Sequence, residues 1–165
     1  MAHFIECTLI SSLLALFTTF LFYEILSLVT KAITYRYLSA RVLLLILISG
    51  IIVAHILSIT VYGVAYWCLV KYLNYLPLKG LDSGGISAYL YYSATTYSSL
   101  GVGDIYSQGG LRLITGVETI NGLTLIAWSA TFTYFAVQKM WDAHGLFLEV
   151  KCKYCEKNHQ KSLGD

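Results

Sequence analysis

The chain has 165 residues, 57% of them hydrophobic and only 12% charged, with a formal net charge of +2 and one proline; its mean hydropathy is +0.66. That balance excludes an ordinary soluble domain, whose residues are about one-quarter charged. No run of like charges points to a nucleic acid, so the expected surroundings are a lipid bilayer.

Three apolar runs reach the roughly 20 helical residues that cross a bilayer: Leu9 to Thr30, Val42 to Val70, and Leu111 to Trp141. Before the first, Met-Ala-His-Phe-Ile-Glu lacks the basic region of a signal peptide, and no cleavage site closes the run. It is expected to remain as a transmembrane helix (1–30), peripheral to the two later runs. Glu24 near its inner end is either an interfacial residue or a partner for Lys31 or Arg36. Residues 31–41 form a short basic link carrying Lys31, Arg36 and Arg41. Together with Lys139 at the end of the third run and Lys151, Lys153, Lys157 and Lys161 after it, these outnumber Lys71, Lys79 and Arg112 on the other side. Basic residues in short loops stay cytoplasmic, which predicts the N-terminus outside and the tail inside. No helix repeats arginines as a voltage sensor requires. The second run is long enough to be tilted or to extend past the membrane surface. His55 at its middle is either a neutral, hydrogen-bonded core residue or a proton sensor.

Between the second and third runs the chain has two parts. Residues 74–85, with Pro77, Gly80, Gly84 and Gly85, read as an exposed turret. Residues 86–97 form about three helical turns, with Ser83 or Gly85 as the cap. Tyr89, Tyr91, Tyr92 and Tyr97 on this helix are core aromatics, an interfacial belt, or both. Then comes Ser98-Ser99-Leu100-Gly101-Val102-Gly103-Asp104. Alternating glycines tolerate the positive φ needed for successive carbonyls to face one axis, and such carbonyls can replace the hydration shell of a cation.

This segment resembles the potassium-channel pore signature Thr-Thr-Val-Gly-Tyr-Gly-Asp. Gly101, Gly103 and Asp104 are identical to it, while Ser98, Ser99 and Leu100 are close in character. Val102 departs from it, standing where the family has a tyrosine that braces the filter. The resemblance covers 42–141 and implies an all-α membrane protein with a re-entrant pore helix and filter between its second and third transmembrane helices, assembled as a homotetramer. It implies ion-binding positions at Ser99, Leu100, Gly101, Val102 and Gly103, supported by Ser98 and Asp104. Tyr91 and Tyr92 occupy the place of the family's aromatic pair, and a hydroxyl on either is a candidate substitute for the missing tyrosine. Thr95 takes a position behind the filter. The site is expected to hold potassium and no organic cofactor, in a cell membrane of the bacterial inner-membrane kind.

The third run carries further candidates. Gly122 matches the spacing of the family's hinge glycine, and is otherwise a small residue for close helix packing. Glu118, one turn before it, is an ionisable group inside a membrane helix and needs a partner. The hydroxyls of Thr95, Thr96 and Tyr97 are candidates, with a protonated glutamate bonded within its own helix as the alternative. One face beyond Gly122 carries Ile126, Ala130, Tyr134 and Gln138 as candidate pore lining, with Tyr134 or Phe135 as a constriction. Rival faces carry Ser129 and Thr133, or Thr131 and Phe135.

The tail (142–165) holds Cys152, Cys155 and His159, three local ligands where a closed zinc site needs four. Two reduced cytoplasmic thiols are the plainer expectation, and with Cys7 and Cys68 far apart no disulfide framework is expected. Glu118, His55 and the tail thiols form no catalytic set, so no enzyme is expected. Selective potassium conduction is the leading expectation. A weakly selective cation channel and a non-conducting scaffold or sensor subunit are the alternatives.

Overall fold

The computed structural model describes residues 2–34, 39–73, 75–81 and 85–143. Four helices are arranged in chain order: α1 (Ala2–Thr34), α2 (Ala40–Tyr72), α3 (Ile86–Tyr97) and α4 (Leu111–Ala143). Segments Ile5–Lys31, Arg41–Tyr72 and Leu111–Lys139 are long and apolar enough to cross a membrane, so the chain is all-helical with three candidate spans. Each long helix exceeds its apolar run, because nothing in the flanking polar residues stops helical hydrogen bonding. Stops occur where the chain supplies them. The α2 helix starts at Ser39, whose backbone is extended and whose carbonyl accepts from the Val42 and Leu43 amides. It ends at Leu73, shortly before Pro77, a residue that cannot continue a helix.

The short helix α3 has the predicted bounds and lies against both α2 and α4. Two glycines allow the approach. A Cβ on Gly63 of α2 would lie 3.1 Å from the Leu90 Cα, and one on Gly122 of α4 would collide with the Tyr97 carbonyl oxygen. Helix α4 runs through Gly122 without interruption, so in this structure the glycine serves close packing. The last residue of α3, Tyr97, bonds His55 at the middle of α2, which places the end of the short helix halfway along the long ones. The chain then returns to their ends, where Lys79 and Tyr106 exchange backbone hydrogen bonds of 3.0 and 3.1 Å. The predicted turret is therefore not wholly exposed: Leu78 beside this bridge is 3% exposed, packed in a cluster with Tyr66, Tyr89 and Ile114.

Helix α1 is more than peripheral. It packs along α2 and α4, and Phe22 lies against His55 with ring centroids 4.9 Å apart. Asn121 of α4 donates to Thr18 Oγ1 of α1 at 2.7 Å and to the Tyr62 hydroxyl of α2 at 3.2 Å, and accepts from Thr19 Oγ1 at 3.1 Å. One amide thus ties three helices together in an apolar setting, where an unmet polar group is costly.

Candidate functional site

The segment 98–104 leaves α3 through a reversal. The Ser98 amide bonds the Ala94 carbonyl, the Ser99 amide the Thr96 carbonyl at 2.9 Å, and the Gly101 amide the Thr95 carbonyl at 3.1 Å. Positive φ recurs at every second residue, 55° at Ser99, 54° at Gly101 and 86° at Gly103. Leu100 and Val102 between them stay on the ordinary side. Such an alternation of hand is what a row of carbonyls facing one side requires. Glycine enters such conformations without penalty, whereas a left-handed serine costs about 1–2 kcal/mol. Ser99 is therefore held by its surroundings, and its conformation had no signal in the sequence.

All of 98–104 is exposed, with Leu100 at 70% and Val102 at 56%. A Cβ on Gly101 would meet nothing within 4 Å. Behind the strand, Gly101, Val102 and Gly103 border a cavity of about 370 Å³ whose other walls include Tyr92, Thr95, Thr96 and Thr115. A valine leaves this hydroxyl-lined space open.

The tyrosine pair splits between two tasks. Tyr92 is buried and its hydroxyl meets Thr115 Oγ1 of α4 at 2.8 Å. Tyr91 is half exposed and its hydroxyl lies near the Asp104 carboxylate, which accepts from the Ile105 amide at 2.8 Å. Thr95 Oγ1 donates to the Tyr92 carbonyl within α3, while its own carbonyl is the one that pins Gly101.

Glu118 is fully buried and its partners differ from the predicted ones. Ser93 Oγ lies 2.6 Å from Oε1 and the Tyr66 hydroxyl 2.6 Å from Oε2, instead of Thr95, Thr96 or Tyr97. Ser93, not those residues, stands on the face of α3 turned to Glu118. Ser93 Oγ also lies 2.9 Å from the Ile59 carbonyl, which can only accept. A hydroxyl has one proton. If Ser93 gives it to Ile59, Glu118 must donate to Ser93, and Tyr66 donates to the other oxygen. A neutral carboxylic acid satisfies every atom of the set, and avoids burying a charge away from water.

His55 fits a similar count. The Tyr97 hydroxyl lies 2.9 Å from Nδ1 and Ser129 Oγ 3.2 Å from Nε2, while Ser129 Oγ donates to the Ile126 carbonyl at 2.8 Å. Ser129 must then accept from Nε2–H. A neutral ring of the Nε2–H tautomer, with Nδ1 accepting from Tyr97, fits this set and joins the end of α3 to α4. Because Ser129 is buried against His55, the rival lining face through Ser129 and Thr133 points largely into the chain's own interior. Ile126, Ala130, Tyr134 and Gln138 are exposed, as are Thr131 and Phe135.

Tyr66 and Ser93, which hold Glu118, and Asn121 with its hydroxyl partners were missed from sequence. The signal available was a polar atom within a membrane run, which requires a partner without naming it. Cys7 and Cys68 are free thiols. Cys152, Cys155 and His159, together with Arg36 and Ser83, lie outside the described residues, and among the described residues no three His, Cys, Asp or Glu side chains gather as metal ligands. No protein-family model, curated protein or solved structure matches the chain.

Proposed function

We propose that this chain is one subunit of a cation pore, four copies of which surround an axis and conduct potassium through rings of carbonyls from Ser99, Leu100, Gly101 and Val102. The observation that carries this reading is the alternating positive φ at Ser99, Gly101 and Gly103, in an exposed strand that follows a helix ending halfway along two candidate spans. A carbonyl stack facing an axis needs that backbone, and an exposed one needs further copies to complete it. In this reading α3 is a re-entrant pore helix whose C-terminal dipole end favours a cation in the central cavity. Gly103 and Asp104 form the outer mouth, and Ile126, Ala130, Tyr134 and Gln138 line the inner vestibule. Tyr134 and Phe135, ring centroids 5.6 Å apart, form the constriction. The N-terminus lies outside and the link between α1 and α2 inside.

Weak selectivity is the second reading, favoured by the cavity of about 370 Å³ that Val102 leaves behind the strand. Flux through purified protein in liposomes separates the readings. Under a potassium gradient we expect flux that Gly101→Ala abolishes. Equal flux with sodium supports the second reading, and none with either ion, in protein whose inner constriction is opened by Tyr134→Ala with Phe135→Ala, defeats both.

A further inference from the structure

The long helices are longer than a bilayer is thick, and one end of the surplus forms a cavity. Cys7 of α1 abuts Gly110 at the start of α4, and its Sγ lies 3.6 Å from the Tyr75 hydroxyl just past α2. These contacts set a common level for the three helices. Taking that level as one boundary of a hydrocarbon core of about 30 Å, about 20 residues at 1.5 Å each carry α1 to Ser27 and α4 to Ala130. There a cavity of about 460 Å³ lies between the two helices. Leu26, Trp128 and Phe132 wall it, Ser27 and Thr30 add hydroxyls, and Lys31 is its lining residue furthest toward the link. Tyr23 stacks on Trp128 with centroids 6.4 Å apart and planes 18° from parallel. Paired aromatic rings at this depth are the usual marker of the headgroup boundary.

We propose that this cavity binds one anionic phospholipid, from the leaflet that faces the α1–α2 link. The apolar walls take the upper acyl chain, the hydroxyls face the ester region, and the Lys31 ammonium meets the phosphate. The volume is that of a small-molecule site, the cation lies at headgroup level, and no carboxylate lines the cavity. Glu24, two turns before Lys31, lies outside the lining. Lipid bound there would join α1 to the half of α4 that carries Ser129 and Tyr134. The site exists whether or not the pore conducts, so its test stands apart from the flux measurement.

Native mass spectrometry of the detergent-solubilised full chain tests the proposal, with phosphatidylglycerol, phosphatidylcholine and inorganic phosphate as separate additions. Phosphatidylglycerol is expected to bind about five-fold better than phosphatidylcholine, the factor one lysine contributes at an anionic surface. Lys31→Gln removes that preference. Ser27→Trp fills the cavity with the charge intact and lowers the occupancy of both lipids. Both variants change residues outside the buried core, and unchanged thermal unfolding verifies that they fold. Equal binding of the two lipids by the unaltered chain overturns the anionic headgroup. Occupancy untouched by Ser27→Trp overturns the cavity, and competition by inorganic phosphate overturns a lipid occupant.

Discussion

The two sides of the 98–104 strand use their polar groups in opposite ways. Behind it, Glu118 is held by Ser93 and Tyr66, Tyr97 by His55, and Asn121 by α1 and α2; among the described residues no buried side-chain nitrogen or oxygen lacks a partner. In front, the segment is exposed from Ser98 to Asp104, and a Cβ added to Gly101 would meet open space. The chain thus builds a fixed back and leaves an open front. A polar network closed within one chain holds the segment's shape by itself, and in the proposed pore the front is left for what further copies create.

Breaking the back is expected to have the largest effect on stability. Glu118→Ala removes a buried side chain and orphans two hydroxyls, which costs about 3–5 kcal/mol. Glu118→Gln keeps one donor and one acceptor in the same places, so a neutral glutamic acid predicts a change below about 1 kcal/mol. Thermal unfolding in detergent compares them. Gln as damaging as Ala means that the native carboxylate is charged.

Paired glycine substitutions sharpen the contrast. Gly122→Ala drives a methyl into the Tyr97 carbonyl and is expected to destabilise the fold by about 1–3 kcal/mol, the usual cost of overpacking. Gly101→Ala meets open space and costs about 1–2 kcal/mol through its left-handed φ, yet in the proposed pore it ends flux. If Gly122→Ala unfolds no earlier than the unaltered chain, α3 is not fixed against α4 as described.

How much of this was legible divides along the same line. The spans, the bounds of α3 and the glycine alternation come from local rules of apolar run length, helix stops and backbone freedom, all written in adjacent residues. The back was only half legible. Glu118 announced that it needed a partner, but Ser93 and Tyr66 are 25 and 52 residues away, and which hydroxyl on α3 faces α4 depends on helix rotation that local pattern does not fix. Gly122 fitted a hinge and a packing contact equally well, and the Tyr97 carbonyl against it, which shows the packing contact, is not written in the local pattern. Helix α1 looked peripheral because Thr18 and Thr19 are ordinary residues in an apolar run, and only Asn121 gives them a task.

The His55 relay makes a smaller test of the back. Tyr97→Phe removes the hydrogen bond between α2 and α3, at about 1 kcal/mol, while His55→Phe removes that bond and the one to Ser129 of α4, at about 2 kcal/mol. Because both act on the same bond, the double variant should cost less than the sum, and a double-mutant cycle measures the difference. Additive losses would mean that Tyr97 is held by other groups, with Ser58 the nearest candidate.

The smallest effect on the fold is expected at the front, and there selectivity is the quantity to read. Val102→Tyr adds an aromatic ring beside a cavity of about 370 Å³ lined by Tyr92, Thr95, Thr96 and Thr115, where its hydroxyl finds partners already in place. A ring that fills this space couples the strand to the fixed network behind it. That coupling resists the widening that would let sodium pass with part of its hydration shell, since discrimination among cations depends on the size and stiffness of the carbonyl cage. The ratio of potassium to sodium permeability, from reversal potentials in bilayers, is therefore expected to rise in Val102→Tyr with unfolding temperature nearly unchanged. An unchanged ratio in a conducting variant would mean that the valine strand is already as stiff as the back can make it, and that the open space behind Val102 is occupied in the assembled pore by a neighbouring subunit.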